Sequence, residues 1–459
     1  MRYVFRFGLA FALSLALIAG CSDENGEGGS GGDGGTGGMA GSSGTGGAEG
    51  VCDFSLGSPT LAAVCPCSEA GIRAAIEAPA DDDPFKFDCE GPQTVVSEAP
   101  IVIDQHVILD GEGNLTVVGT GSGPVFRVAG NVTAELRGFG VTGSPDGLGI
   151  ANLGTLSLWN CTVSDGGMGI DNGAIGQFDA PGFFGTLTLT NSTVSGNAEG
   201  IWNREGSTLV LTNSTVSGNV VEGIHNFGGL AGFGGLVRLT NSTVSENTAE
   251  QGALINGAEG VVTLTNTIVD GNCVGDGIIA SGGYNIESPD DTCDFDPDKG
   301  DQINVSAEDL NLGPLADNGG PTMTHALLTE PAVSEAIDQI PAEDCEETED
   351  QRGFPRDSVC DVGAFEVQVT DCAGEEIFTP CTIDNEEGQC LLEQCAAFDC
   401  SSLEDGTYCE FAVLGDGTTG VCEAGRCTKP EDCTGLVDGW DCIKGEAGSC
   451  VDGECVTPP

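Results

Sequence analysis

One phrase returns five times between residues 155 and 270, and a chain built on it has few folds open to it. It runs Thr-Leu-Ser-Leu-Trp-Asn-Cys-Thr-Val-Ser at 155–164 and Thr-Leu-Thr-Leu-Thr-Asn-Ser-Thr-Val-Ser at 186–195. It returns at 208–217 and 237–245, and ends as Val-Val-Thr-Leu-Thr-Asn-Thr-Ile-Val-Asp at 261–270. A second phrase, Gly-Ile-x-Asn, follows at 169–172, 200–203 and 223–226, with looser forms at 147–152, 252–256 and 277–280. Repeats of this length mark a solenoid. Within a copy, apolar Leu187 and Leu189 alternate with Thr186, Thr188 and Thr190. Period-2 alternation rich in Thr and Val predicts a strand with one buried face.

The Asn of the first phrase falls at 160, 191, 213, 241 and 266, and its shortest step, from 191 to 213, is 22 residues. That is the length of one coil. Two further Asn sets recur: Asn197, Asn219, Asn247 and Asn272; then Asn152, Asn172, Asn203, Asn226 and Asn256. Asn tolerates left-handed backbone angles and suits corners. Stacked coils also let one amide bond to the next. Three corners and three short strands per coil predict an all-β, right-handed, single-stranded parallel β-helix, since parallel crossovers are almost always right-handed. Longer steps come from insertions after the third Asn, at 173–185 and 227–235, and such insertions gather on one side.

Residues 1–20 carry Arg2 and Arg6, then an apolar run to Ala19. This is the pattern of a secretory signal. Ile18-Ala-Gly-Cys21 resembles the bacterial lipobox, which implies that Cys21 is lipidated as the first mature residue and, with Ser22 beside it, that the protein goes to the outer membrane. An ordinary signal cleaved nearby is the alternative. Residues 21–51 hold the anchor and a stretch of Gly, Ser, Thr and acids that predicts a flexible tether. The formal charge is −58, with 14 Lys plus Arg. This excludes nucleic acid and anionic lipid as electrostatic partners. Twenty-two cysteines in an exported chain predict disulfides.

Residues 52–132 read as a cap and early coils. Ser68 is set to cap a helix over 68–78 with Ile72 and Ile76 one turn apart, closing the open solenoid end. Cys52, Cys65, Cys67 and Cys89 pin it, in any of three pairings. Irregular strands follow at 94–96, 101–103, 106–109, 115–118 and 125–128, with a turn at Asp110-Gly-Glu-Gly-Asn114. A cap helix before a phrase such as Ile-Val-Ile-Asp-Gln-His-Val-Ile-Leu-Asp-Gly-Glu-Gly-Asn resembles the start of pectate-lyase-like β-helices.

The regular coils occupy 133–283 and a closing segment 284–366. The latter holds Gly-Pro-Leu-Ala-Asp-Asn-Gly-Gly-Pro-Thr-Met-Thr-His-Ala-Leu-Leu (313–328), Ala-Ile-Asp (336–338), Asp-Gln-Arg-Gly-Phe-Pro-Arg (350–356) and Cys-Asp-Val-Gly-Ala-Phe-Glu (360–366). Together these resemble the choice-of-anchor Q family of bacterial surface proteins, related to polymorphic outer-membrane-protein β-helices. The resemblance covers roughly 65–366 and implies a surface-anchored β-helix of undefined activity. The chain departs in having Pro-Ala-Val-Ser-Glu-Ala-Ile-Asp where that family has a tighter Ser-Pro-Ala-Ile-Asp.

The tail, 367–459, carries three four-cysteine frameworks: Cys372, Cys381, Cys390, Cys395; Cys400, Cys409, Cys422, Cys427; and Cys433, Cys442, Cys450, Cys455. Modules this short need staples. Zinc is the competing reading, disfavoured by an oxidising compartment. Cys273 with Cys293 and Cys345 with Cys360 are expected to pair locally, and Cys161, standing where other coils have Ser, is expected to be a free packed thiol.

Chemistry is sparse. After the inward Ile of the third strand comes an outward column predicted as Ala151, Asp171, Trp202, His225, Ile255 and Ile279. Coils about 4.8 Å apart would bring Asp171, Trp202 and His225 into a stripe, with Arg204 and Glu205 beside it and Phe178, Phe183, Phe184, Phe227 and Phe233 in the nearby insertions. An aromatic with a carboxylate and an imidazole suits a sugar; a merely decorated face is the alternative. A β-helix lyase needs a cationic base, and Arg204 and Arg238 are the only Lys or Arg in 155–280; a glycosidase of the polygalacturonase type needs clustered Asp and a Gly-His-Gly phrase, which are missing. Asp294, Asp296 and Asp298 resemble a Ca²⁺ loop, but Gly300 is seventh and Val305 twelfth, out of step with an EF-hand. The sequence therefore leads to a non-enzymatic, surface-anchored β-helix that binds carbohydrate or protein. A polysaccharide lyase or glycosidase using Asp171, His225 and Arg204, and a spacer without ligand, are the alternatives.

Overall fold

The computed structural model describes residues 52, 63–78, 83–173, 184–229, 233–247, 252–368 and short backbone segments of the tail. The segments read as a secretory signal and a tether, with Cys21, Phe178 and Phe183, lie outside the described residues. The chain forms a right-handed parallel β-solenoid of about eight coils. Helix α1, Glu69–Glu77, closes the first coil. Ser68 caps it by accepting a hydrogen bond from the Gly71 amide at 3.1 Å, and Ile72, Ala75 and Ile76 point into the core. The pairing that sequence left open is Cys52–Cys65 and Cys67–Cys89. Cys273–Cys293 and Cys345–Cys360 are joined, and Cys161 is free and buried.

Each coil has three faces. The first carries Thr155–Trp159, Thr186–Thr190, Thr208–Thr212, Leu236–Thr240 and Val261–Thr265 in parallel register. The second carries Thr162–Ser164, Thr193–Ser195, Thr215–Ser217 and Thr243–Ser245. The third carries Met168–Asn172, Glu199–Asn203, Glu222–Asn226 and Leu254–Asn256. Inward Leu158, Leu189, Leu211 and Leu239 stack in one file and are essentially buried, each contributing about 1.5–3 kcal/mol of apolar burial. The phrase Gly-Ile-x-Asn has a steric origin. A Cβ on Gly200 would stand 2.2 Å from the Gly223 carbonyl oxygen, so only Gly lets successive coils pack there.

The three Asn sets divide the work. Asn152, Asn172, Asn203, Asn226 and Asn256 form a buried amide ladder, each Nδ2 donating to the next Oδ1 at 2.8–2.9 Å. Asn197, Asn219 and Asn247 form a second, with links of 3.1 and 2.9 Å. The first-phrase set makes no ladder. Asn160, Asn191, Asn213, Asn241 and Asn266 are all left-handed, with φ of 45–54°, which turns their side chains outward. The inside of that corner is filled instead by a ladder of Ser192, Ser214 and Ser242 hydroxyls accepting backbone amides, the first from Cys161.

Several expectations change. The segment predicted as a turn at 110–114 lies within one long strand, Val107–Gly119, as an irregularity where Glu112 and Gly113 adopt positive φ. The outward third-face column ends in Val274, opposite Ile255, while Ile279 pairs with Val262 on the first face, because the last loop is shorter than its predecessors. The larger surprise is the closing segment. Only its first part closes the end; the rest, reaching to Val367, runs back along the solenoid as a strap. Thr322 Oγ1 donates to the Asn191 carbonyl at 2.9 Å, and Thr193 Oγ1 to the Met323 carbonyl at 2.7 Å. Gln351 sits between Thr193 and Thr215, and the Ala364 amide donates to Thr243 Oγ1. The outward Thr residues of the second face, which alternation assigns to solvent, are therefore buried.

The strap has its own core, including Leu327, Ile340 and Phe365, and two buried ion pairs, Arg352–Asp350 and Arg356–Glu366. Burial, and next the charge of Glu366, push the Asp361 carboxyl up from 3.8 to about 8. A native group that keeps its proton up to about 8 binds more protons than the unfolded chain from about pH 4 upward, so stability falls as pH rises through that window. Thermal unfolding should come earlier at pH 9 than at pH 5, and Asp361→Asn should flatten the difference. An equal pH dependence in that variant would remove Asp361 as the cause.

In the tail, Pro380–Ile383, Glu386–Leu391 and Gln394–Ala397 form an antiparallel meander, as do the strands at 408–428 and 441–456. Cys390 faces Cys395, Cys422 faces Cys427 and Cys450 faces Cys455 in backbone register. The bonding of the twelve tail cysteines lies outside the described side chains.

Candidate functional site

The third-face register sets Asp171 beside Trp202 and Trp202 beside His225. Arg204, just past the strand, folds back over this stripe. Its Nε and Nη2 donate to the two Asp171 oxygens at 2.6 and 3.1 Å, a bidentate pair. Its guanidinium carbon lies 4.2 Å from the Trp202 ring centre and 4.6 Å from that of Phe227. Glu222 accepts from Trp202 Nε1 and sits 3.1 Å from His225 Nδ1. His225 stacks on Phe227 at 3.9 Å. Burial, and next the Glu222 charge, raise the Glu199 carboxyl above its ordinary range. The four residues predicted from sequence do meet, and they meet each other: Arg204 Nε and Nη2, the indole N–H and Nδ1 of the imidazole are bonded inside the cluster. This is how a brace across three coils is built.

Asp294, Asp296 and Asp298 do not converge. Asp296 caps the short turn Pro297–Lys299 by accepting the Asp298 amide, and Asp301 accepts the amides of Asn285 and Asp296. Among the described residues no three acidic, His or Cys side chains are placed to hold a metal ion.

A different column on the first face is open. Lys86 pairs in register with Asp110, Asp110 with Arg137 and Arg137 with Trp159. In later coils the same position is Thr190, Thr212, Thr240 and Thr265. Asp110, Arg137 and Trp159 of this column line a cleft of about 490 Å³ with Glu112, Glu135 and Pro321. Trp159 is 48% exposed in it. Arg137 Nε donates to Glu135 Oε1 at 2.6 Å, Lys86 bonds Glu112, and Asp110 accepts the Glu112 amide at 3.0 Å. A smaller lobe of about 200 Å³, along Thr116, Gly140, Thr162 and Ser164, joins it at Gly138, Asn160 and Pro321. Both lobes lie on the first coils, which the strap meets at Pro321. Sequence reading missed this cleft because its early coils vary in length. One mark was visible: Trp159 breaks the Thr of its repeat position.

The description "Right handed beta helix region" is that of the family model matched over residues 125–290. Among solved structures, pectate lyase Pel9A is 13% identical, over 64% of this chain and 90% of that one, with a TM-score of 0.42. ORF18 of Geobacillus virus E2 is 10% identical, over 83% and 82%, with a TM-score of 0.26. No curated protein matches. The likeness to the family model is one of fold, a right-handed parallel β-helix.

Proposed function

We propose that this protein is a non-catalytic, lipid-anchored β-helix that binds carbohydrate at the cell surface, with the Trp159 cleft as its binding site. The lipobox-like Ile18-Ala-Gly-Cys21 supports the anchor and the acidic, Gly-rich stretch after it supports the tether. One observation carries the binding role: an exposed indole standing in register with a line of hydrogen-bonding side chains, on the floor of an open cleft. Aromatic faces offer large contact area at low entropic cost, and the flanking carboxylates and guanidinium fix orientation. The cleft's Arg137 is held by Glu135, and Lys86, next in the column, by Glu112, so neither is poised as a base, which favours binding over catalysis.

Trp159→Thr is the decisive substitution, because Thr is what the next four coils carry at that position. The variant should fold as the parent does and lose glycan binding at least tenfold by titration calorimetry, about 1.4 kcal/mol. Undiminished binding with an unchanged circular dichroism spectrum would move the site elsewhere. Release of new reducing or unsaturated ends by the parent would make it an enzyme.

A further inference from the structure

We infer that the cleft takes a neutral glycan, laid along the solenoid axis and stopped by the strap; this rests on the carbohydrate reading above. The axis follows from the column. Asp110, Arg137 and Trp159 lie on successive coils, about 4.8 Å apart, so the line of partners spans roughly 10 Å. That length, with a cleft of about 490 Å³, suits two or three sugar residues.

The charge class follows from how the side chains are used. Three carboxylates, Asp110, Glu112 and Glu135, line the cleft with one cation, Arg137, and Lys86 stands in register beside Asp110. Each cation is already bonded to a carboxylate, Arg137 to Glu135 and Lys86 to Glu112. A uronate or sulfate would have to displace one of these and meet the remaining negative charge, on a chain whose formal charge is −58. A hydroxyl has no such penalty. It donates to a carboxylate oxygen or accepts from an N–H that the ion pair leaves over. A sugar ring placed on Trp159 supplies the apolar contact.

The stop follows from the strap. On the coil after Trp159, Thr322 and Met323 are bonded to Asn191 and Thr193, and Pro321 walls both lobes. A ligand advancing from the Lys86 end therefore runs into Pro321 at the level of Asn160.

The test is a panel of oligosaccharides with two to six residues presented to the full chain: glucose, mannose, galactose and N-acetylglucosamine series against oligogalacturonate and sulfated oligosaccharides. The expected result is binding to a neutral series, gaining no affinity beyond about three residues, nearly unchanged between low and high salt, and weakened tenfold or more in Trp159→Thr. Salt insensitivity is the mark of a contact without net charge pairing. Tighter binding of oligogalacturonate or a sulfated series, with affinity falling in salt, would overturn the neutral class while leaving glycan binding in place. Affinity that keeps rising to six residues would overturn the stop at Pro321. No binding to any series would remove both this inference and the function it rests on.

Discussion

Arg356→Ala should detach the strap from the solenoid. The guanidinium is fully buried and donates to Glu366 Oε2 at 2.9 Å, to the carbonyls of Asp361 and Gly363 at 3.1 and 2.7 Å, and to Asn213 Oδ1 at 3.4 Å. Truncation leaves Glu366 as a buried carboxylate without its cation and the Asp361 and Gly363 carbonyls without their donor. Removing one partner of a buried pair costs about 3–5 kcal/mol. The strap should then exchange its amide hydrogens rapidly from about residue 320 to Val367 while the Leu158–Leu239 file stays protected. Arg356→Met with Glu366→Gln should recover part of the loss, because the charge left unpaired is gone. Uniform exchange across strap and solenoid, or none, would mean that the strap is not a separable unit.

Asn203→Ala should be the most damaging change in the coils themselves. Its Nδ2 lies within reach of Asn226 Oδ1 at 2.8 Å and of the Leu236 and Ser207 carbonyls at 3.1 and 3.2 Å, and its Oδ1 accepts from Asn172 at 2.8 Å. A net hydrogen bond contributes about 1 kcal/mol, and a buried group left unmet adds a further penalty, so a loss of roughly 3 kcal/mol is expected. The denaturant midpoint should fall with the slope unchanged. Asn266→Ala, in the outward set, should cost much less, since its Oδ1 has no partner and its Nδ2 has one bond, to the Asp344 carbonyl at 3.3 Å. Equal losses at the two positions would contradict the division between ladder and corner.

That division shows how far sequence reading reaches. Asn at three corners was legible, and so was its use in ladders. Which corner is left-handed was not, because both roles select the same residue. Asp171, Trp202, Arg204 and His225 were legible as neighbours, since the coil period is local arithmetic. That they neutralise one another was not: Glu222 and Phe227 complete the cluster, and side-chain pairing depends on rotamers that the period leaves open. Trp159 was visible only as a departure from Thr.

The sequence by itself determined the coil: alternation chose inward residues, Gly-Ile-x-Asn set the close approach and the ladder, and Ser68 with Ile72 and Ile76 capped the open end. These are contacts between residues about one coil apart, and repetition writes them many times. Tertiary structure alone decided which outward surface stays open. The strap meets residues more than a hundred positions away, as Thr322 does Asn191 and Gln351 does Thr193. A single long-range docking is written once, so no period announces it, yet it covers the second face from Asn191 onward and leaves the Trp159 cleft uncovered.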